Sequence, residues 1–275
     1  MSWLLDLYET YNQNESSVGI TEYKRNGQPF ILLPISHTTQ SAHIEVHVTE
    51  DGQFHSAFVI PKEDATTVIP ATEESSSRAG AKTAPYPLHD KLSYVAGDYN
   101  SYGGDPKKVN DYSEYIKQLK QWRESPFSTP KIGSIYSYLS KGTLIEDLIK
   151  DRKLWADDKH QLLSKWNNAQ GDRPEIFGVV AGEQDAAFVR FDVYYPDKVS
   201  NKVWMDPEVQ NSFIAYYNTK LKDNDLCFVT GEMQPGTERQ ANKIRNPADK
   251  AKLISGNDTS GFTFRWLIFT FWSLD

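Results

Sequence analysis

The sequence is poor in the features that announce most functional classes. It holds one cysteine, Cys227, in 275 residues. A single thiol makes neither an intrachain disulfide nor a multi-cysteine zinc site. Its place in the apolar run 226–229 reads as a buried, inert thiol, and the lack of a disulfide framework fits a reducing cytoplasm. There is no basic surplus either. Lys and Arg number 30 against 37 Asp and Glu, a formal net charge of -7, whereas a free-standing nucleic-acid binder carries a basic excess. Nucleic-acid contact must therefore come from local patches or from partner subunits. No apolar run approaches the roughly 20 residues of a membrane-spanning helix; the longest covers 266–274. Residues 1–6 lack the basic and apolar regions of a signal peptide, so none is expected.

Catalytic signatures are missing as well. The chain has no Gly-x-Ser-x-Gly elbow, no phosphate-cradling Gly-x-x-x-x-Gly-Lys loop and no Gly-x-Gly-x-x-Gly. Asp151, Asp157 and Asp158 lie among Lys150, Arg152, Lys153 and Lys159, the composition of a solvated helix face. The expectation is a protein that is not an enzyme and carries no cofactor.

What is present is a clear alternation of patterns, and it predicts an α+β fold. Leu4, Leu7, Tyr8 and Tyr11 share one helical face. Residues 19–60 read as β structure, with a hairpin turn at Asp51-Gly52 leading into 54–59. His43, Glu45 and His47 alternate with Ile44, Val46 and Val48, which predicts one polar and one buried strand face. Residues 61–91 change character, and 73–82 reads as a long exposed loop. Helical spacing runs from Tyr112 to Trp122, restarts after Thr129-Pro130 and continues through Leu144, Leu148, Leu162, Leu163 and Trp166. Strands are predicted at 176–181 and 188–195 around a hairpin at 182–185, a helix from Asp206-Pro207, and a strand at 226–229. This gives a β-rich region at 1–100, a helical region at 101–170, an α/β region with a basic segment at 171–265, and an unpatterned apolar tail at 266–275.

Three constellations carry chemistry. His43, Glu45 and His47 point to one strand face at i, i+2 spacing, and two imidazoles with a carboxylate are acceptable metal ligands. An extra ligand such as His37 or His55 would be needed, and a solvated strand face looks the same. Residues 239–252 hold five cations, Arg239, Lys243, Arg245, Lys250 and Lys252, against Asp249, a local net +4; this suits phosphate contact or a plain solvated loop. The loop with Ser76, Ser77, Arg78, Gly80 and Lys82 offers cations and hydroxyls that can read base edges, on a backbone that approaches a groove closely.

Several segments together resemble the large subunit of the type I-C (Dvulg) CRISPR interference complex. They are residues 225–232, 243–245 and 250–264 (Lys-Ala-Lys-Leu-Ile-Ser-Gly-Asn-Asp-Thr-Ser-Gly-Phe-Thr-Phe), with 3–11 and 84–98 in support. The resemblance covers most of 1–265. Members of that family are longer and the likeness stops after Arg265, so the chain reads as a truncated or frameshifted product. The resemblance implies a non-catalytic subunit that engages target double-stranded DNA and its flanking motif (PAM). It would sit beside the guide RNA with the backbone and guide-processing subunits, leaving cutting to a recruited helicase-nuclease. It also implies DNA contact by Ser77, Arg78, Gly80 and Lys82, and by Lys243, Arg245, Lys250, Lys252 and Asn257. Two other readings stand beside it: a docking or scaffold remnant without DNA-opening activity, and a metal-dependent enzyme using His43, Glu45 and His47.

Overall fold

The computed structural model describes residues 3–25, 27, 29–76, 78, 83–167, 171–197, 199–222, 224–227, 229–237, 242–249 and 251. The first helical pattern forms α1 (Trp3–Gln13), which buries none of its residues fully. Its Tyr11 hydroxyl donates to the Leu33 carbonyl at 3.1 Å. Next comes a small antiparallel pair, β1 (Thr21–Tyr23) and β2 (Pro29–Ile31). Trp3, Leu7, Ile20, Tyr23 and Phe30 stay exposed along this N-terminal part.

The chain then forms β3 (His37–Ser41), β4 (Ile44–Thr49), β5 (Phe54–Val59) and β6 (Thr66–Pro70). The predicted β4–β5 hairpin is there, with Ile44 opposite Val59. Its turn requires glycine: Gly52 has φ +73°, and a Cβ there would lie 2.6 Å from the Ser137 Cβ. After β6 come the short helical turn α2 (Glu73–Ser76), β7 (Asp90–Lys91) and α3 (Leu92–Val95). The helical region holds α4 (Asp111–Arg123), α5 (Pro130–Leu139) and α6 (Leu144–Lys150). Beyond it lie α7 (Ile176–Val179), β8 (Phe188–Tyr194), α8 (Pro207–Asn218), β9 (Asn224–Leu226) and β10 (Met233–Pro235).

The central sheet has the order β5-β4-β8-β7, and β4 runs parallel to β8. Strands from near residues 44 and 188 thus share one sheet. Ile44, Val46 and Val48 face the same core as Val189, Phe191 and Val193. Onto that face pack Tyr115, Leu119 and Trp122 of α4, Ile132 and Ile135 of α5, and Phe213 of α8. Trp122 is fully buried and donates Nε1–H to Ser212 at 2.9 Å. The fold is α+β, as the alternating patterns predict.

Several local expectations are corrected. The loop predicted at 73–82 begins instead as α2, with Ser75 and Ser76 buried; residues 77 and 79–82 lie outside the described residues. Before it, β6 pairs with β3, and after it Leu88 and Asp90 are buried. The run Thr66-Thr67-Val68-Ile69 is β-branched and strand-forming. The serines that looked solvated serve the backbone. Thr72 N–H donates to Ser75 Oγ at 2.8 Å and Ser75 N–H to Thr72 Oγ1 at 3.2 Å, a reciprocal cap. Leu162 lies in a β-bridge and Leu163 and Trp166 in irregular chain, not in helices. Residues 176–179 form a helical turn where a strand was expected, since a short apolar run does not distinguish the two. The stretch 184–186 is a 3-10 turn instead of a hairpin, and β9 lies earlier than the predicted 226–229. The tail 266–275 falls outside the described residues. Among the described residues no helix is long and apolar enough to cross a membrane.

One long-range cap makes the helical region testable. Asp98 accepts from Ile145 N–H at 3.1 Å and Glu146 N–H at 2.9 Å, the unsatisfied donors of the first turn of α6. Asp98→Ala is expected to cost about 1–2 kcal/mol, read as a drop of a few degrees in thermal denaturation.

Candidate nucleic-acid interface

Among the described residues β3 pairs with β6 alone, and its threonines bind a distant segment. Thr38 Oγ1 donates to the Asn242 carbonyl at 2.9 Å and Thr39 Oγ1 to the Lys243 carbonyl at 2.7 Å. Lys243 itself has φ 61°, a left-handed conformation uncommon for a side-chain-bearing residue. Its N–H donates to the Asp249 carbonyl at 2.8 Å, which closes the basic segment into a loop.

Gln40, the next residue of β3, joins this loop to a second one. Its Oε1 accepts from Lys243 Nζ at 2.8 Å, and its Nε2 donates to the Tyr86 hydroxyl at 2.8 Å. The Tyr86 ring lies under the Arg78 guanidinium, 4.1 Å from centroid to Cζ, and Tyr94 lies 4.5 Å from it. Arg78 also pairs with Asp90. Asp90 is fully buried and accepts from Tyr86 N–H at 2.8 Å and Lys91 N–H at 2.7 Å as well. Burial pushes its carboxyl up, against the pull of Arg78 and the two backbone donors. Arg78 and the basic segment are thus linked through Tyr86 and Gln40.

The predicted site residues fare differently. Arg78 is committed internally, its guanidinium held by a carboxylate and two rings. Lys243 is tied to Gln40. Arg245 is the free-reaching cation: it pairs with Asp249, yet its side chain is 76% exposed. Ser77, Gly80, Lys82, Lys250, Lys252 and Asn257 lie outside the described residues. Sequence reasoning missed Gln40, Tyr86, Asp90 and Tyr94. The polar, β-branched run Thr38-Thr39-Gln40 was the one available signal.

The proposed metal triad is not assembled. His43 Nδ1 accepts from Phe188 N–H at 2.9 Å. Glu45 and His47 gather instead with Asp192 of β8, whose register places it opposite His47. This polar strand face is covered, contrary to expectation. Glu45 accepts from Arg190 Nη2 at 2.7 Å, Lys202 Nζ at 2.8 Å and His47 Nε2 at 2.6 Å. Lys202 also reaches Asp192 at 3.0 Å, and Arg190 lies 3.8 Å over the Trp204 ring. Burial raises the Glu45 carboxyl, but the bonds from His47 and Lys202 and the charge of Arg190 outweigh it and hold it at about 2. Two cations already stand where a metal ion would be drawn in, so these residues fit an internal ion cluster better than a metal centre.

Comparison with known families gives one match. The model of the family described as CRISPR-associated protein (Cas_Csd1) matches residues 5–267. No curated protein matches the chain. The match spans nearly the whole sequence, and the chain belongs to that family.

Proposed function

We propose that this member of the CRISPR-associated Cas_Csd1 family is the DNA-engaging large subunit of a type I-C RNA-guided surveillance complex. In this reading it does no chemistry of its own. It meets target double-stranded DNA and its flanking motif at the 242–249 loop that lies against β3, in the company of guide RNA, backbone subunits and the guide-processing subunit. A recruited helicase-nuclease does the cutting. Base pairing by the guide reads the sequence, and the protein reads only the flank and the backbone.

The observation that carries the reading is the Gln40 junction. Lys243 of the basic segment and Tyr86, on which Arg78 stacks, both bond the amide of Gln40 on β3. The overall charge of -7 is tolerable where partner subunits supply basic surface. The exposed Trp3, Leu7, Ile20, Tyr23 and Phe30 offer apolar area for subunit docking.

The test is co-expression of the tagged chain with guide RNA and the other subunits, followed by duplex binding of the purified assembly. Co-elution with guide RNA and tighter binding to the correct flank are expected. A chain that elutes alone overturns the reading. Arg245→Glu should weaken binding equally on correct and scrambled flanks and reduce the salt slope by about one. An unchanged slope would remove Arg245 from the interface.

A further inference from the structure

A second cleft shares no residue with the β3 interface. It has a volume of about 480 Å³, reaches from Val59 of β5 to the turns after α6, and is lined by Arg152, Lys153, Trp155, Trp166 and Arg173. Cations and indoles in one cleft are the combination that holds single-stranded nucleic acid, with bases on the rings and phosphates on the charges.

Three observations show that the cleft is held in shape. Gln184, 1% exposed, grips its wall. It accepts from Trp155 N–H at 2.9 Å and donates to the carbonyls of Trp155 at 2.8 Å and Leu163 at 2.7 Å. Arg152 sits at φ 56° as the left-handed residue that closes α6, its N–H donating to the Ile149 carbonyl at 3.0 Å in a helix C-cap. Hydrogen bonds on both sides impose it: Asp151 Oδ2 accepts from Ala57 N–H at 3.0 Å, and Lys153 N–H donates to the Leu148 carbonyl at 2.8 Å. Finally, Trp155 Nε1–H is buried without an acceptor among the described residues, and an unpaired buried donor is costly.

The charges at the cleft are available. Among the described residues neither Arg152 nor Lys153 has an ion-pair partner, while Arg173 donates to the Phe177 carbonyl. Trp166 packs edge-on against Trp155 at 5.2 Å between centroids, which fixes the two rings relative to each other. Asp172 and Glu175 also line the cleft. These carboxylates can accept from the exocyclic amino groups of bases.

We propose that this cleft receives a nucleotide of a single-stranded nucleic acid. The base packs against the Trp166 ring, and the flanking phosphates meet Arg152 and Lys153. The opened target and the guide share this chemistry. The site is separate from the β3 interface and does not depend on where duplex DNA docks.

The test is photocrosslinking of the full chain to short thiopyrimidine-labelled single strands, one DNA and one RNA, with the adducts mapped by mass spectrometry. Adducts on the peptides carrying residues 152–176 are expected. Trp166→Ala should weaken binding about tenfold, while Trp166→Phe, which keeps a stacking ring, should bind nearly as the parent does. Arg152→Glu with Lys153→Glu should weaken binding and flatten its salt dependence. Preference for the DNA strand would identify the opened target as the source, and preference for RNA the guide. No binding, adducts only elsewhere, or parent-like binding by both Trp166→Ala and the double charge reversal would overturn the proposal. Duplex binding by the same variants in the assembled complex separates the two sites. Absence of cleft adducts in the parent chain, with motif-dependent duplex binding intact, sinks the cleft alone; cleft adducts in a parent assembly that shows no motif-dependent duplex binding sink the β3 interface alone.

Discussion

Replacing Asp90 by alanine is expected to destabilise the protein by about 3–5 kcal/mol, the cost of leaving a buried ion without its partner. Asp90 is fully buried, and the Arg78 side chain is 22% exposed. Removing the carboxylate strands the guanidinium between Tyr86 and Tyr94 and takes the acceptor from two backbone N–H groups. For a chain of this size the loss corresponds to a fall in Tm of about 10 °C. The same experiment distinguishes two roles for Arg78. As an anchor, Arg78→Ala lowers Tm and weakens duplex binding on correct and scrambled flanks alike. As a base reader, it leaves Tm unchanged and loses only the preference for the correct flank. The geometry favours the anchor, because a base contact would first require Arg78 to leave Asp90. Arg78→Lys keeps the charge but loses the planar face stacked on the two rings, so it should behave like a milder Arg78→Ala.

The anchor also shows what could be read in the sequence and what could not. Periodicity located α1, α4, α5, α8 and the β4–β5 hairpin, because each of these buries a face that its own residues define. The sequence offered no local cue that β4 lies beside β8. That pairing is parallel and joins residues about 145 positions apart, and no turn signal marks it. The covered polar face of β4 escaped for the same reason. Glu45 and His47 look solvated until Arg190, Asp192 and Lys202 arrive from the far end of the chain. Short apolar runs misled in the other direction, and 176–179 became a helical turn.

The candidate interface was legible as composition but not as geometry. Clustered cations at 239–252 and a small-residue loop at 76–82 were visible. Gln40 and Tyr86, which link Arg78 to Lys243, carry no motif, and each is informative only through its partner. The indole-lined cleft was hidden further. Its cations stood among acids that suggested a solvated helix, yet Asp151 and Asp157 are spent on backbone donors, Ala57 N–H in one case and Lys159 and Gln161 N–H in the other. Once those carboxylates are accounted for, Arg152 and Lys153 are left without an ion-pair partner among the described residues.

The ion cluster on β4 yields the other large effect. Glu45→Ala is expected to cost about 3–5 kcal/mol at neutral pH, since Arg190 would stay buried beside Trp204 without a carboxylate. Arg190 donates to Glu45 through two nitrogens, at 3.0 and 2.7 Å, and its side chain is 8% exposed, so water cannot replace the lost partner. Replacing Glu45 and Arg190 together by apolar residues of similar volume should cost much less than either single change, because no charge is left unpaired. The pH dependence has a definite sign. Glu45 titrates at about 2 in the folded protein against an ordinary 4.5, so its contribution is complete above about pH 4.5 and drains away as pH falls towards 2. The stability gap between the parent and Glu45→Gln should therefore be widest near neutrality and narrow through that acid window, as followed by denaturant unfolding at a series of pH values. A gap that stayed constant down the series would mean that Glu45 stabilises the fold through its shape and not its charge. Added divalent metal should leave the gap unchanged, because Lys202 and Arg190 already supply the positive charge that the carboxylate holds.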